Sequence, residues 1–181
     1  MKQCWNAALA AGALALSVSA QAAPPTPEMI SFSCAGCHGT NGGSAGLSMP
    51  SLASQSKTAI IDAMKKFKSG ERPSTVMGRL AKGYTDADFE AMGNFFSRQK
   101  FHPTAQAVDK AKVAKGSDLQ EANCSRCHLD DGKDGKDDTP VMASQWLTYL
   151  QMQMDLYQSG KRKMPEKMAE KVKPLSKEDL D

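Results

Sequence analysis

"CAGCHGTNGG" occupies residues 34–43, and "CSRCHLDDGK" occupies residues 124–133. Each opens on Cys-x-x-Cys-His, and the two lie ninety residues apart. At that offset the chain matches itself well beyond the motifs. Pro50 falls on Pro140, "ASQSKT" (53–58) on "ASQWLT" (143–148), Ser69-Gly70 on Ser159-Gly160, and Arg72 on Arg162. No gap is needed between Cys34 and Arg72. Self-similarity at a fixed offset describes one structural unit present twice, so the question becomes what one unit does with its paired cysteines and its histidine.

An N-terminal leader narrows the answer. Lys2 precedes the apolar run "AALAAGALALSVSA", which ends at Ala20-Gln21-Ala22. A basic start, a short apolar core and a small-x-small site describe a secretory signal peptide over residues 1–22. The run is too short and too rich in alanine for a good membrane span. The expectation is therefore an exported, periplasmic protein with no transmembrane segment. Cys4 leaves with the leader, and Cys34, Cys37, Cys124 and Cys127 remain. Four cysteines in an exported chain could form two disulfides. Zinc would need two further ligands at each site, yet past residue 22 the chain offers no other cysteine and only His102 beyond the motifs. A thioredoxin-like motif would sit in a βαβ surround, and no alternating strand is legible. A histidine directly after each pair reads instead as covalent attachment of haem c. Two thiols reach the two vinyl groups, and the neighbouring histidine swings under the iron.

Charge says less. The formal net charge is +3. "KRKMPEKMAEKVK" (161–173) is basic and "DDGKDGKDD" (130–138) mostly acidic. Both read as solvated surface. Neither carries the interleaved aromatics of a single-strand nucleic-acid platform, so no nucleic-acid partner is expected.

The units read as all-α. "TPEMISFSCAGCH" offers Thr26 as cap and Pro27 in the first turn. "SKTAIIDAMKKFKSG" has a stripe at 60, 61, 64 and 67 that ends at Gly70. "TDADFEAMGNFFSRQK" starts at Thr85 with early acids and presents Phe89, Met92, Phe95 and Phe96 on one face. The second copy repeats this with "GSDLQEANCSRCH" and "SQWLTYLQMQMDLYQSG". The first unit spans 23–100, a linker 101–105 contains His102-Pro103, and the second unit spans 106–181. His102 reads as a surface residue. The first copy runs fifteen residues past Thr85 but the second only five past Ser176, so the last helix of the second unit is expected to be cut short. The sequence is either a fragment or, if the chain ends there, its second unit is expected to be the less stable. Units of this size have marginal cores, and a porphyrin would supply apolar filling.

A sixth ligand separates an electron carrier from a haem that binds small ligands. Methionine is the usual choice in cytochromes c. Of the 11 methionines, most read as packing. Met77 stands eight residues before Thr85, and Met168 stands eight before Ser176, so one inserted residue reconciles the copies. Met164 is the alternative in the second unit. Pro50 and Pro140 each follow a motif histidine by twelve residues. Each is either a carbonyl acceptor for the histidine ring N–H or a plain loop-to-helix turn.

On these residues the unit resembles a class I cytochrome c, and the tandem resembles the dihaem cytochromes c4. "CAGCHGT", "FKSGERPSTVMGRLAKGYTDADFEAMGNFF" and "ASQWLTYLQ" are most similar to the dihaem cytochrome subunit of flavocytochrome c sulfide dehydrogenase. The resemblance implies two covalent haem c groups. Cys34, Cys37, His38 and Met77 would serve the first, and Cys124, Cys127, His128 and Met168 the second. Pro50 and Pro140 would support the histidines through their carbonyls. It also implies a sulfide-oxidising FAD flavoprotein partner and a soluble cytochrome or similar acceptor. This chain would then have no catalytic residue of its own and would work as an electron-transfer subunit. A free-standing c4-type carrier to a terminal oxidase is the alternative. A dihaem enzyme would need one iron without methionine.

Overall fold

The computed structural model describes residues 25–135 and 137–180. The leader over 1–22 lies outside the described residues. In the first copy α1 (Pro27–Phe32) begins at Thr26, whose side chain accepts from Met29 N–H. Helix α2 (Ala35–His38) carries the first motif. Ser56 caps α3 (Lys57–Ser69), which ends at Gly70 in the left-handed region, φ 84°. Helix α4 (Met77–Leu80) runs into a 3-10 turn at Ala81–Gly83. Helix α5 (Asp86–Phe96) starts at a capping box in which Thr85 and Asp88 satisfy each other's backbone N–H.

The stripe read from the sequence is the core. Ile60, Met64, Phe89, Met92, Phe95 and Phe96 form one buried cluster with Ala81. Helix α5 packs across both α1 and α3. Gly93 permits the second contact, because a Cβ there would lie 3.0 Å from the Lys57 carbonyl and 3.2 Å from Ile61. Phe95 meets Phe32 edge-on at 6.0 Å and Phe96 at 5.0 Å. Burying one such ring stabilises by about 1.5–3 kcal/mol.

The second copy repeats the path with a thinner interior. Helix α6 (Lys110–Asn123) starts well before the segment read from sequence, because Asp109 accepts from Ala111 and Lys112 N–H and the residues that follow are good helix formers. Helices α7 (Leu147–Gln158), α8 (Glu166–Val172) and α9 (Lys177–Leu180) complete it. Ser176 and Asp179 form the same reciprocal cap as Thr85 and Asp88. The acidic loop closes through a two-residue strand, Asp134–Gly135, with Leu129 bridged to Asp134. Among the described residues, Val141 is the one fully buried hydrophobic side chain of this copy. None of α6, α7, α8 or α9 has a buried residue.

Local geometry repeats at the ninety-residue offset. The Gly42 carbonyl accepts from Leu52 and Ala53 N–H, and the Gly132 carbonyl from Met142 and Ala143 N–H. Ser54 and Ser144 sit at φ 61° and 59°. The copies meet through these loops. Ser51 N–H donates to Gln145 Oε1 at 2.9 Å, and Gln145 Nε2 donates to the Ser51 carbonyl at 2.9 Å. In mirror fashion Val141 N–H donates to Gln55 Oε1 at 2.9 Å, and Gln55 Nε2 donates to the Val141 carbonyl at 2.8 Å. All four residues are buried. Because residue 51 corresponds to 141 and 55 to 145, the contact is a pseudo-two-fold one. At its edge Arg72 and Arg162 both donate to Gln153 Oε1, at 3.2 and 2.6 Å. Trp146 takes the place of the Ser56 cap and donates its Nε1–H to the Ser44 carbonyl at 3.0 Å. At the first residue of this helix Gln106 Oε1 accepts from Leu147 N–H at 2.9 Å.

Candidate haem sites

Each motif is wound into one turn. His38 N–H donates to the Cys34 carbonyl at 2.9 Å, and His128 N–H to the Cys124 carbonyl at 2.9 Å. Both thiols and the imidazole of each copy therefore start from a single turn. In the first copy it ends at Gly39, φ 78°, where a Cβ would stand 2.1 Å from the Gly43 carbonyl oxygen. All four cysteines are free thiols, so the disulfide reading finds no support in the structure. Burial pushes the Cys34 and Cys124 thiols up.

The histidines are oriented alike. His38, 6 % exposed, donates Nδ1–H to the Pro50 carbonyl at 2.8 Å. His128, half-buried, donates Nδ1–H to the Pro140 carbonyl at 3.0 Å. A carbonyl can only accept, so the tautomer follows and Nε2 keeps its lone pair. Burial pulls both imidazoles below their ordinary pKa, and the prolyl carbonyl opposes it. The neutral imidazole this favours is the form that ligates a metal.

The methionines are placed less fully. Met77 opens α4 and, with Cys34, packs against the core cluster of the first copy. Met168 lies in the first turn of α8, and Met164 lies just before that helix; both are half-buried. The Thr85 and Ser176 caps keep Met77 and Met168 in equivalent register. His102 packs its ring over Gly43, where a Cβ would lie 2.6 Å from it. Among the described residues no three His, Cys, Asp or Glu side chains converge to hold a metal ion on their own, so the zinc reading finds no cluster there.

The residues fit a haem. A half-open recess of about 420 Å³ lies beside Cys37, lined by Ala35, Gly36, Gly39, Ala45, Gly46 and Met49; neither His38 nor Met77 lines it. Large apolar side chains stand open in the first copy: Met29 is 63 % exposed, Phe32 53 %, Leu47 58 % and Leu80 52 %. A water-facing unit of this size rarely leaves so much apolar surface uncovered without something to cover it. Two thiols, an imidazole with a free Nε2 and bare apolar side chains match a flat apolar macrocycle with a central metal. Sequence reading missed Gln55, Gln145 and Trp146. The shared "ASQ" was the available signal, but a one-dimensional pattern does not say which way a side chain points.

A tandem of small helical units, each with a paired-thiol turn and a carbonyl-supported histidine, defines a haem-c protein. The family Cytochrome C oxidase, cbb3-type, subunit III matches residues 111–181. The cytochrome subunit of sulfide dehydrogenase from Chlorobaculum tepidum is 48 % identical over 69 residues, 38 % of this chain and 62 % of that relative's length. Cytochrome c-554(548) of Halomonas halodenitrificans is 30 % identical over 70 residues, 37 % of this chain and 84 % of its own. The fold resembles that of cytochrome c4 from Pseudomonas stutzeri, with TM-score 0.74, 23 % identity and coverage of 85 % of this chain and 91 % of that one. The chain belongs to the c-type cytochromes, with the cytochrome c4-like tandem fold. As a dihaem member of that family it carries two covalent haem c groups.

Proposed function

We propose that this chain is the periplasmic electron-transfer subunit of a sulfide-oxidising complex. It would accept electrons from a FAD flavoprotein and pass them to a soluble cytochrome or similar acceptor. The observation that carries the reading is the 48 % identity to a sulfide dehydrogenase cytochrome subunit. That match covers 62 % of the relative, so the flavoprotein partner belongs to the proposal. No helix among the described residues is long and apolar enough to cross a membrane. The leader at 1–22 supports export.

In this reading Cys34 and Cys37 hold one haem and Cys124 and Cys127 the other. His38 with Met77, and His128 with Met168, would hold the two irons. When bound, each haem supplies a one-electron couple. The chain's own residues then fix, orient and enclose. The Pro50 and Pro140 carbonyls hold each imidazole with Nε2 free. Met77 and Met168 would each give their iron a second protein ligand, and in this reading the sulfide chemistry falls to the partner. The phenylalanine core, against which Cys34 and Met77 pack, would back the first site.

Purification from the native periplasm, with haem and flavin quantified together, tests the partner. A flavin-bearing subunit should co-elute, and sulfide should reduce the haems only in its presence. A dihaem protein that elutes alone and is unaffected by sulfide plus the purified flavoprotein contradicts the reading. The alternative is a free-standing c4-type carrier, favoured by a fold match that spans 91 % of a cytochrome c4.

A further inference from the structure

The glutamines that join the two copies also end at the histidines. The peptide between Pro50 and Ser51 accepts from His38 Nδ1–H through its carbonyl, at 2.8 Å. The N–H of the same peptide donates to Gln145 Oε1, at 2.9 Å. The peptide between Pro140 and Val141 does the same in reverse. Its carbonyl accepts from His128 at 3.0 Å, and its N–H donates to Gln55 Oε1 at 2.9 Å. Each proximal histidine is thus one peptide group away from a side chain of the other copy.

The chemistry of such a chain is directional. Hydrogen bonds at both ends of one peptide polarise it in the same sense, and each strengthens the other. Ser51, Val141, Gln55 and Gln145 are all at most 7 % exposed, so water does not compete for these groups. The glutamine amides cannot flip. Ser51 and Val141 N–H can only donate, while the Ser51 and Val141 carbonyls can only accept, which fixes Oε1 and Nε2. A stronger acceptor at Pro50 draws the Nδ1 proton and makes Nε2 a better electron donor. A more basic axial ligand favours the oxidised iron.

We propose that Gln145 and Gln55 are positioning residues that tune the redox couple across the copy boundary. Gln145 acts on the His38 site and Gln55 on the His128 site. The inference rests on the proposed histidine ligation.

The test uses the full dihaem protein in a redox titration followed by NMR, with the haem methyl signals of each site assigned separately. Gln145→Met should favour reduction at the His38 site by roughly two- to fivefold, the modest polarisation of one neutral hydrogen bond. The His128 site should stay unchanged. Gln55→Met should give the mirror result. If Gln145→Met does not accumulate as a dihaem protein, Gln145→Asn is too short to reach Ser51 and should act alike. The His38 Nδ1–H resonance should move with the potential. Histidine-ligated sites whose potentials do not move, or that move only in the copy bearing the substitution, would overturn the inference alone. Wild-type protein without histidine-ligated iron would overturn the proposed function and the inference with it.

Discussion

Met77 and Met168 occupy equivalent positions only because each is counted back from a cap. Thr85 and Asp88 form one capping box, and Ser176 and Asp179 form the other. If this register assigns the ligands, Met77→Ala should remove half of the ferric Met–iron charge-transfer band, and Met168→Ala the other half. Met164→Ala should leave the band intact. Near-infrared absorbance of the three variants checks this, and loss of the band in Met164→Ala would reassign the second ligand. The thiols and histidines were legible in sequence because covalent attachment demands a fixed local spacing that one helical turn satisfies. The role of Pro50 and Pro140 was open on the residues alone, since a proline twelve positions on serves a turn equally well. Gln55 and Gln145 were illegible as contacts, because their direction depends on the left-handed backbone of Ser54 and Ser144.

Helix α5 dominates the first copy, and its apolar face was readable as a 3.6-residue stripe. Phe89 is fully buried there. Phe89→Ala should cost about 3–5 kcal/mol, read as an earlier loss of the first site's Met–iron band in a urea series. The start of α6 was misplaced because "AKVAKG" has no apolar periodicity, and Asp109 caps it from outside the stretch that looked helical. Helix α9 is tied to α6 by Lys115 Nζ and Asp179 Oδ1 at 2.6 Å. Hydrogen bonds from Lys115 and Ser176 lower the Asp179 pKa from 3.8 to about 2. A depressed carboxyl contributes fully above its ordinary value and loses that contribution as pH falls through the lowered one. The tie should therefore hold above pH about 4 and release towards pH about 2. Proton titration of the Ser176 amide signal checks this, and Lys115→Ala should move the release to higher pH.

Across the whole molecule the copies share a path but not a core. The first holds a phenylalanine cluster, whereas the second, among the described residues, buries Val141 at the junction. The second copy should accordingly lose its Met–iron bond first in a denaturation series resolved by haem; simultaneous loss, or loss at the first site before the second, would contradict this. The junction itself is polar, reciprocal and buried, which suits a contact that carries orientation as well as stability. The tandem was readable from the ninety-residue offset, and the pseudo-two-fold seating of the copies was not, since a repeat fixes equivalence without fixing symmetry. The central claim is that one chain holds two closed His–Met irons and conducts without binding substrate. The most direct test is the ferric near-infrared spectrum, with the Met–iron band quantified per haem. The account predicts one full band for each of two covalent haems; a band at only one haem, or at neither, would contradict it.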